Sequence, residues 1–98
     1  GIYGASKSAL STYMKYAALE LAGKGIRCNA VHPGRIQTPL IENRLLTAED
    51  VAKDVDAYPL KRYGKPEEVA HAIIYLLSDA SSWITGTNLV IDGGRSLK

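Results

Sequence analysis

The chain has 98 residues, enough for one small domain or for a part of a larger one. Its composition, 46% hydrophobic and 22% charged, excludes a disordered segment, and a formal charge of +2 without a basic run gives no indication of nucleic-acid binding. Cys28 is the only cysteine, which excludes an intramolecular disulfide and a cysteine-based metal site. No apolar run approaches the roughly 20 residues that span a bilayer. We therefore expect a cytoplasmic protein without a membrane partner.

The first predicted element is an amphipathic helix over 6–21. Its apolar residues lie three and four positions apart, the spacing of one helix face: Ala9, Leu10, Tyr13, Met14, Ala17, Ala18 and Leu21. Gly23 and Gly25 supply the signals that end this helix. A largely apolar run over 26–31 follows and stops before a Pro-Gly pair, so we interpret it as a buried parallel strand.

The residues from 35 to 63 form a long excursion with prolines, many charges and a weak helical pattern over 48–55. Excursions of this length between core elements are usually functional loops, such as lids over a binding site. Asp50, Asp54 and Asp56 are most simply interpreted as its solvated surface.

A second helix is predicted to begin at Pro66, a favoured first-turn residue, with two acidic residues behind it that complement the helix dipole. Its predicted core face consists of apolar residues at helical spacing: Val69, Ala70, Ile73, Ile74 and Leu77. The run Asn88–Ile91 is predicted to be a second buried strand, closed by the turn Asp92-Gly93-Gly94.

The order helix, strand, long loop, helix, strand predicts an α/β fold with a parallel strand pair. Two strands cannot bury both faces of a parallel sheet, so the sequence calls for partner strands that it does not contain. The first residue, Gly1, is not an initiator methionine. We therefore expect this chain to be a part of a longer protein.

Tyr3 and Lys7 are four residues apart, which on a helix places them on nearly the same face, one turn apart. A free tyrosine has a pKa of about 10 and exchanges protons poorly at neutral pH. A nearby ammonium favours the phenolate and lowers that pKa, which suits the tyrosine for general acid–base catalysis.

Several stretches of the sequence resemble the short-chain dehydrogenase/reductases, in the family's order and at compatible spacing over essentially the whole chain. They are YGASK at 3–7, GIRCNAV at 25–31, PGRIQTP at 33–39, RYGKPEEVA at 62–70 and TGTNLVIDGG at 85–94. The resemblance implies that residues 1–98 are the C-terminal part of one NAD(P)-binding Rossmann-like domain, a doubly wound parallel sheet whose dinucleotide-binding half is absent.

The resemblance also implies an activity, the interconversion of an alcohol and a ketone with NAD or NADP. Tyr3 would be the catalytic acid/base, and Lys7 would bind the nicotinamide ribose and lower the pKa of Tyr3. The remaining cofactor contacts would be Pro33, Gly34, Ile36 and Thr38, with a substrate lid after them. The resemblance further implies a homo-oligomer, a dimer or tetramer, and a small-molecule substrate. A 3-oxoacyl-[acyl-carrier-protein] reductase is the subtype we would test first.

Other interpretations stay open. The family's Gly-rich phosphate turn, its relay Asn and its carbonyl-polarising Ser cannot be matched in this sequence, so the isolated chain is expected to be inactive. The alternatives are a non-catalytic relative kept for binding or oligomerisation, and a domain that folds alone to bind a partner. His32 is either a cofactor or substrate contact or a loop residue, His71 is expected at the edge of the core, and Trp83 is expected to be an interface or packing anchor.

Overall fold

The computed structural model describes residues 2–37 and 47–97, and of Ile2 and Tyr3 only the helical backbone. The elements are α1 (Ile2–Ala22), β1 (Ala30–Pro33), α2 (Ala48–Asp56), α3 (Pro66–Leu77) and β2 (Asn88–Ile91), with single 3₁₀ turns at Asp79–Ser81 and Arg95–Leu97. The predicted order of elements is confirmed, and the weak helical pattern in the long excursion is a helix, α2. No helix within the described ranges is both long and apolar enough to cross a membrane.

The strands β1 and β2 form a two-stranded sheet. The Ala30 N–H donates to the Thr87 carbonyl and the Gly34 N–H donates to the Ile91 carbonyl, both at 2.9 Å. Because the residue numbers rise together on both strands, the pairing is parallel, as predicted. Three of the four residues in each strand are half-buried rather than buried. The expectation of fully buried strands is therefore not met by the described residues, in agreement with the shortage of strands inferred from the sequence.

The chain divides into two compact units, which are described separately. The first unit comprises Gly1–Val31 and Ile74–Leu89, and the second unit comprises His32–Ile73 and Val90–Lys98. In the first unit α1 buries Met14 and Ala18, whereas Leu10 and Tyr13 on the same predicted apolar face are exposed. Only half of the predicted stripe of α1 is thus covered by this chain.

The predicted strand over 26–31 begins late, at Ala30, because the preceding backbone is held by side chains and loop atoms. Arg27 donates to the Ser81 hydroxyl at 3.0 Å and to the Ser78 and Ile84 carbonyls at 3.2 and 3.1 Å. Asn29 donates to the Ile84 carbonyl and accepts from the Thr87 N–H. Of the backbone groups, the Cys28 N–H donates to the Thr85 hydroxyl at 3.0 Å and the Cys28 carbonyl accepts from the Gly86 N–H at 2.8 Å, so this stretch binds loop atoms in place of a strand ladder.

The helix termini in the second unit are capped by local side chains. Thr47 and Asp50 form a capping box at the start of α2, each side chain accepting from the other's backbone N–H. The Glu68 carboxylate accepts the Lys65 N–H at 2.9 Å just before α3.

The prediction of which residues form the core face of α3 is wrong in part. Ile73, Ile74 and Leu77 are exposed, whereas Ala72 and Leu76 are half-buried. The apolar spacing is real, but no element within residues 2–37 and 47–97 covers these side chains, which are open to solvent. His71, expected at the edge of the core, is exposed, and Trp83 is 98% exposed and packs nowhere in the described parts of the chain.

Candidate functional site

Two of the candidate residues lie on α1, in the first unit. Tyr3 and Lys7 both belong to this one uninterrupted helix of 21 residues. A helix rises about 1.5 Å per residue, so their Cα atoms are about 6 Å apart along the axis and on nearly the same face. The spacing of the pair is therefore fixed by backbone hydrogen bonds, although the side chain of Tyr3 lies outside the described parts. The Lys7 side chain is on an exposed part of the helix.

Three other candidate residues lie in the turn that follows β1, in the second unit, which is described by itself. Pro33 ends the strand, and Gly34 is packed tightly against the turn after β2. A Cβ at Gly34 would lie 2.9 Å from the Asp92 Cβ and 3.1 Å from Tyr58 Cε1. Glycine is thus required here by contacts within the protein itself.

Ile36 forms an isolated parallel bridge with Gly64. The Gly64 N–H donates to the Arg35 carbonyl at 3.0 Å, and the Gln37 N–H donates to the Gly64 carbonyl at 2.8 Å. In a planar trans peptide the C=O and N–H point in opposite directions. The N–H and C=O of Ile36 therefore both face away from Gly64.

Neither of these Ile36 groups has a main-chain partner within residues 2–37 and 47–97. They form a donor and an acceptor side by side, directed the same way. This pair is complementary to a primary carboxamide, which offers an acceptor oxygen and a donor NH₂. A primary carboxamide is the group that the nicotinamide of NAD and NADP carries.

The turn is held by a polar cluster, which we call the Arg35 cluster: Arg35, Asp54, Tyr58 and Tyr63. The Arg35 N–H donates to the Tyr58 hydroxyl at 3.0 Å, and its guanidinium pairs with Asp54 at 2.6 Å. The Tyr63 hydroxyl donates to the same Asp54 oxygen at 2.6 Å. The two tyrosine rings are buried and meet edge to face with their centroids 5.9 Å apart.

Electrostatics within the cluster follow from these contacts. The Tyr63 hydroxyl, and after it the Asp54 carboxylate, raises the pKa of the Arg35 guanidinium, while desolvation opposes them. Burial first, and then the hydrogen bond to Asp54, raises the pKa of Tyr63 above its usual value, against the effect of Arg35. Arg35 therefore remains a cation and Tyr63 a neutral hydrogen-bond donor at neutral pH.

The Arg35 cluster was not predicted from the sequence. Asp54 was expected to be solvated surface, and this expectation is wrong because its carboxylate bridges two other segments. Its partners are 19 and 9 residues away in sequence, so no local spacing could reveal them. Asp50 was placed on the same surface but caps α2. The signal that the sequence did offer was the position of Asp54 in the helical pattern of the long segment 35–63, which also contains Tyr58 and Tyr63 near its end.

The structure places the proposed site residues as follows. Pro33, Gly34 and Ile36 are consecutive or nearly so in the second unit, where Ile36 also lines a cavity of about 300 Å³. Tyr3 and Lys7 belong to the first unit. Thr38 lies outside the described residues.

The comparisons with known proteins agree along the whole chain. Residues 1–96 match the protein family described as Enoyl-(Acyl carrier protein) reductase. The chain is 46% identical over 96 residues to cyclohexanol dehydrogenase of Acinetobacter sp. (strain SE19), covering 98% of this chain and 36% of that protein. It is 49% identical over 92 residues to 3-oxoacyl-[acyl-carrier-protein] reductase FabG of Thermotoga maritima, covering 94% of this chain and 37% of that protein.

Solved structures give the same result. A short chain dehydrogenase family protein from Francisella tularensis superimposes with a TM-score of 0.84 at 34% identity, covering 98% of this chain and 43% of that one. A 4-hydroxyisoleucine dehydrogenase complexed with NADH superimposes with a TM-score of 0.88 at 36% identity, covering 98% and 40%. The predicted Rossmann-like α/β fold is thereby confirmed for the part that this chain represents.

The chain spans 36–37% of the length of the two dehydrogenase and reductase relatives. The family match over residues 1–96, the relatives and the solved structures all point to one assignment, the one that the motifs indicated. The chain belongs to the short-chain dehydrogenase/reductase family.

Proposed function

We propose that residues 1–98 are the C-terminal part of a single NAD(P)-binding Rossmann-like domain in an oxidoreductase that interconverts an alcohol and a ketone by hydride transfer. The support is the length of the relatives, which exceeds that of this chain, and the two-stranded sheet, which lacks strands to cover it. The dinucleotide-binding half would come from the remainder of the protein, and the isolated chain would be inactive.

The observation that carries the proposal is the continuity of α1 through Tyr3 and Lys7. In the proposed reaction the Tyr3 hydroxyl donates a proton to the carbonyl oxygen during reduction and accepts it during oxidation. The Lys7 ammonium, one turn away, favours the phenolate and so lowers the cost of this proton transfer at neutral pH. Lys7 would also hold the ribose hydroxyls of the cofactor.

The turn after β1 would hold the nicotinamide. This assignment is supported by the paired N–H and C=O of Ile36, which match a carboxamide. Pro33 and Gly34 would form the wall beside it. Thr38 would complete this wall. When bound, the nicotinamide supplies or accepts the hydride. Both NAD and NADP are retained as cofactors, since the residues that select between them are not among these 98.

We propose a small alcohol or ketone as the substrate class, with a 3-oxoacyl thioester first among the candidates because FabG is among the relatives. The name of the other relative, cyclohexanol dehydrogenase, supports an apolar ring ketone as the second candidate. A cytoplasmic homo-oligomer remains part of the proposal.

The test uses the complete protein that carries this chain, assayed with NADH and NADPH against a 3-oxoacyl thioester and cyclohexanone. The variant Tyr3→Phe is expected to lower kcat by about 100-fold or more, the usual contribution of general acid–base catalysis, with the Kd of the cofactor changed less than about twofold. Tyr13→Phe is the control, because Tyr13 lies on the same helix and is 75% exposed.

Turnover of Tyr3→Phe at the wild-type rate would contradict the proposal. A wild-type protein that binds the dinucleotide but reduces neither substrate, while Tyr3→Phe behaves identically in every assay, would favour the non-catalytic alternative.

A further inference from the structure

We propose that Asp54 is a positioning residue, which sets the orientation of the Ile36 main-chain groups through Arg35 and thereby the binding of the nicotinamide end of the cofactor. This inference rests on the proposed function. It concerns residues that all belong to the second unit.

Two hydrogen bonds meet at a single carboxylate oxygen of Asp54. Asp54 Oδ2 accepts from Arg35 Nη1 and from the Tyr63 hydroxyl, both at 2.6 Å. These charge-assisted bonds are short and therefore strong. They join three segments that are separate in sequence: α2, the turn after β1, and the stretch before α3.

Arg35 is held by three contacts, made by its N–H, its carbonyl and its side chain. Its N–H donates to the Tyr58 hydroxyl, its carbonyl accepts from Gly64, and its side chain pairs with Asp54. The carbonyl of Arg35 and the N–H of Ile36 belong to the same planar peptide. Any rotation of this peptide that shifts the Arg35 carbonyl therefore turns the Ile36 N–H by the same angle.

Removal of the Asp54 carboxylate would weaken the contacts of both Tyr63 and Arg35. Tyr63 is only 6% exposed, and its hydroxyl donates to Asp54. Without the negative charge, the two bonds to this oxygen lose their charge assistance, and the guanidinium 5.9 Å from the Tyr63 ring centroid loses its anion. A guanidinium held by a weaker bond can move, and Arg35 would move with it.

A second carboxylate on α2 provides a matched control. Glu49 lies 3.7 Å from Lys53, and both side chains are at least three-quarters exposed, at 80% and 76%. Exposed pairs of this kind contribute little. Glu49→Gln makes the same change of charge and chemistry as Asp54→Asn, on the same helix, but touches nothing in the Arg35 cluster.

The experiment measures binding to the complete protein with two probes. One is NADH or NADPH, whichever the wild type binds more tightly. The other is the matching ADP-ribose or 2′-phospho-ADP-ribose, which lacks the nicotinamide. Asp54→Asn is expected to raise the Kd of the reduced dinucleotide about tenfold, as for one perturbed charge-assisted hydrogen bond, and to leave the Kd of the nicotinamide-free probe unchanged.

Glu49→Gln is expected to change neither Kd, and Asp54→Glu, which restores the charge, is expected to recover part of the lost affinity. Should Asp54→Asn fail to fold, Tyr63→Phe removes one of the two bonds to the same oxygen and is expected to show a smaller effect of the same selectivity.

Equal weakening of both probes, or no weakening of either, overturns the positioning role while leaving the proposed function intact. A wild-type protein that binds neither dinucleotide overturns the proposed function itself, so the two failures are distinguishable.

Discussion

The two units hold their functional segments by different means. In the first unit, Tyr3 and Lys7 lie on a regular helix, whose backbone hydrogen bonds set their spacing. In the second unit, the turn at 33–36 has little regular structure and is held by residues that are distant in sequence, such as Tyr58, Gly64 and Asp92. The proposed catalytic pair should therefore tolerate distant substitutions that the proposed cofactor turn does not tolerate.

The largest expected effect concerns stability in the first unit. Arg27→Ala removes three hydrogen bonds and withdraws the donor to Ser81, which is 1% exposed. We expect the free energy of unfolding to fall by about 3 kcal/mol, because three hydrogen bonds from a charged donor, each contributing roughly 1 kcal/mol, are lost. Chemical denaturation of the complete protein measures this change.

The same variant tests whether the proposed catalytic pair on α1 depends on distant contacts. Below the unfolding temperature, the kcat of Arg27→Ala should stay near the wild-type value. The control Lys24→Ala removes an exposed cation beside the end of α1 and should change neither quantity. A large loss of kcat in folded Arg27→Ala would show that α1 depends on distant contacts as much as the turn does.

A somewhat smaller effect is expected at the turn. Gly34→Ala places a Cβ 2.9 Å from the Asp92 Cβ and 3.1 Å from the Asp92 Cα, and backbone cannot move aside cheaply. We expect a loss of about 2 kcal/mol in the free energy of unfolding, which is typical of overpacking, together with weaker binding of NADH or NADPH.

Gly23→Ala is the matched control, because a Cβ there would meet nothing within 4 Å. It should be neutral or slightly stabilising through the unfolded chain. Similar losses of stability in the two variants would remove the case for a tightly packed turn.

The smallest effect is a pH dependence at the start of α3. Glu68 accepts two bonds from Arg62, at 2.7 and 2.8 Å, and these bonds lower the pKa of Glu68 from 4.5 to about 2. A carboxyl group whose pKa is lower in the folded state than in the unfolded state stabilises the folded state at pH values above the unfolded-state pKa. This contribution is lost as the pH falls through the folded-state pKa. The contribution is therefore complete above pH 4.5 and is lost progressively toward pH 2.

Denaturation of the wild type and of Glu68→Gln over this range measures the effect, with Glu67→Gln as the neighbouring control. The difference in stability between wild type and Glu68→Gln should shrink as the pH falls. A difference that is independent of pH would show that the pair does not form in solution.

Elements with strong local signals were predictable from the sequence. The Pro66 start of α3 and the bounds of β2 at Asn88–Ile91 agree with the structure, because a first-turn proline and a Gly-closed apolar run are local features. Lys7 lies within the helix predicted over 6–21, whereas Tyr3 lies before it, because α1 begins four residues earlier, at Ile2. The family could be recognised from motifs that are themselves contiguous stretches of sequence.

Features that depend on tertiary contacts were not predictable. The strand β1 begins later than its apolar pattern suggested, since the backbone of Cys28 bonds to loop atoms of Thr85 and Gly86, more than 50 residues away. The role of Asp54 arises from partners in two other segments. The exposed face of α3 reflects apolar periodicity that this chain alone does not cover. Periodicity indicates which face is apolar, but only the other elements decide whether it is buried.

The most direct measurement of the central claim follows the hydrogen itself. The complete protein is incubated with reduced cofactor carrying deuterium at the transferable position, and the alcohol formed from the ketone is examined by mass spectrometry. Wild type and Tyr13→Phe should place one deuterium on the carbinol carbon, whereas Tyr3→Phe should form labelled alcohol about 100-fold more slowly. Labelled alcohol formed by Tyr3→Phe at the wild-type rate, or its absence from the wild-type reaction, would contradict the assignment of Tyr3 as the proton donor in a hydride-transfer reaction.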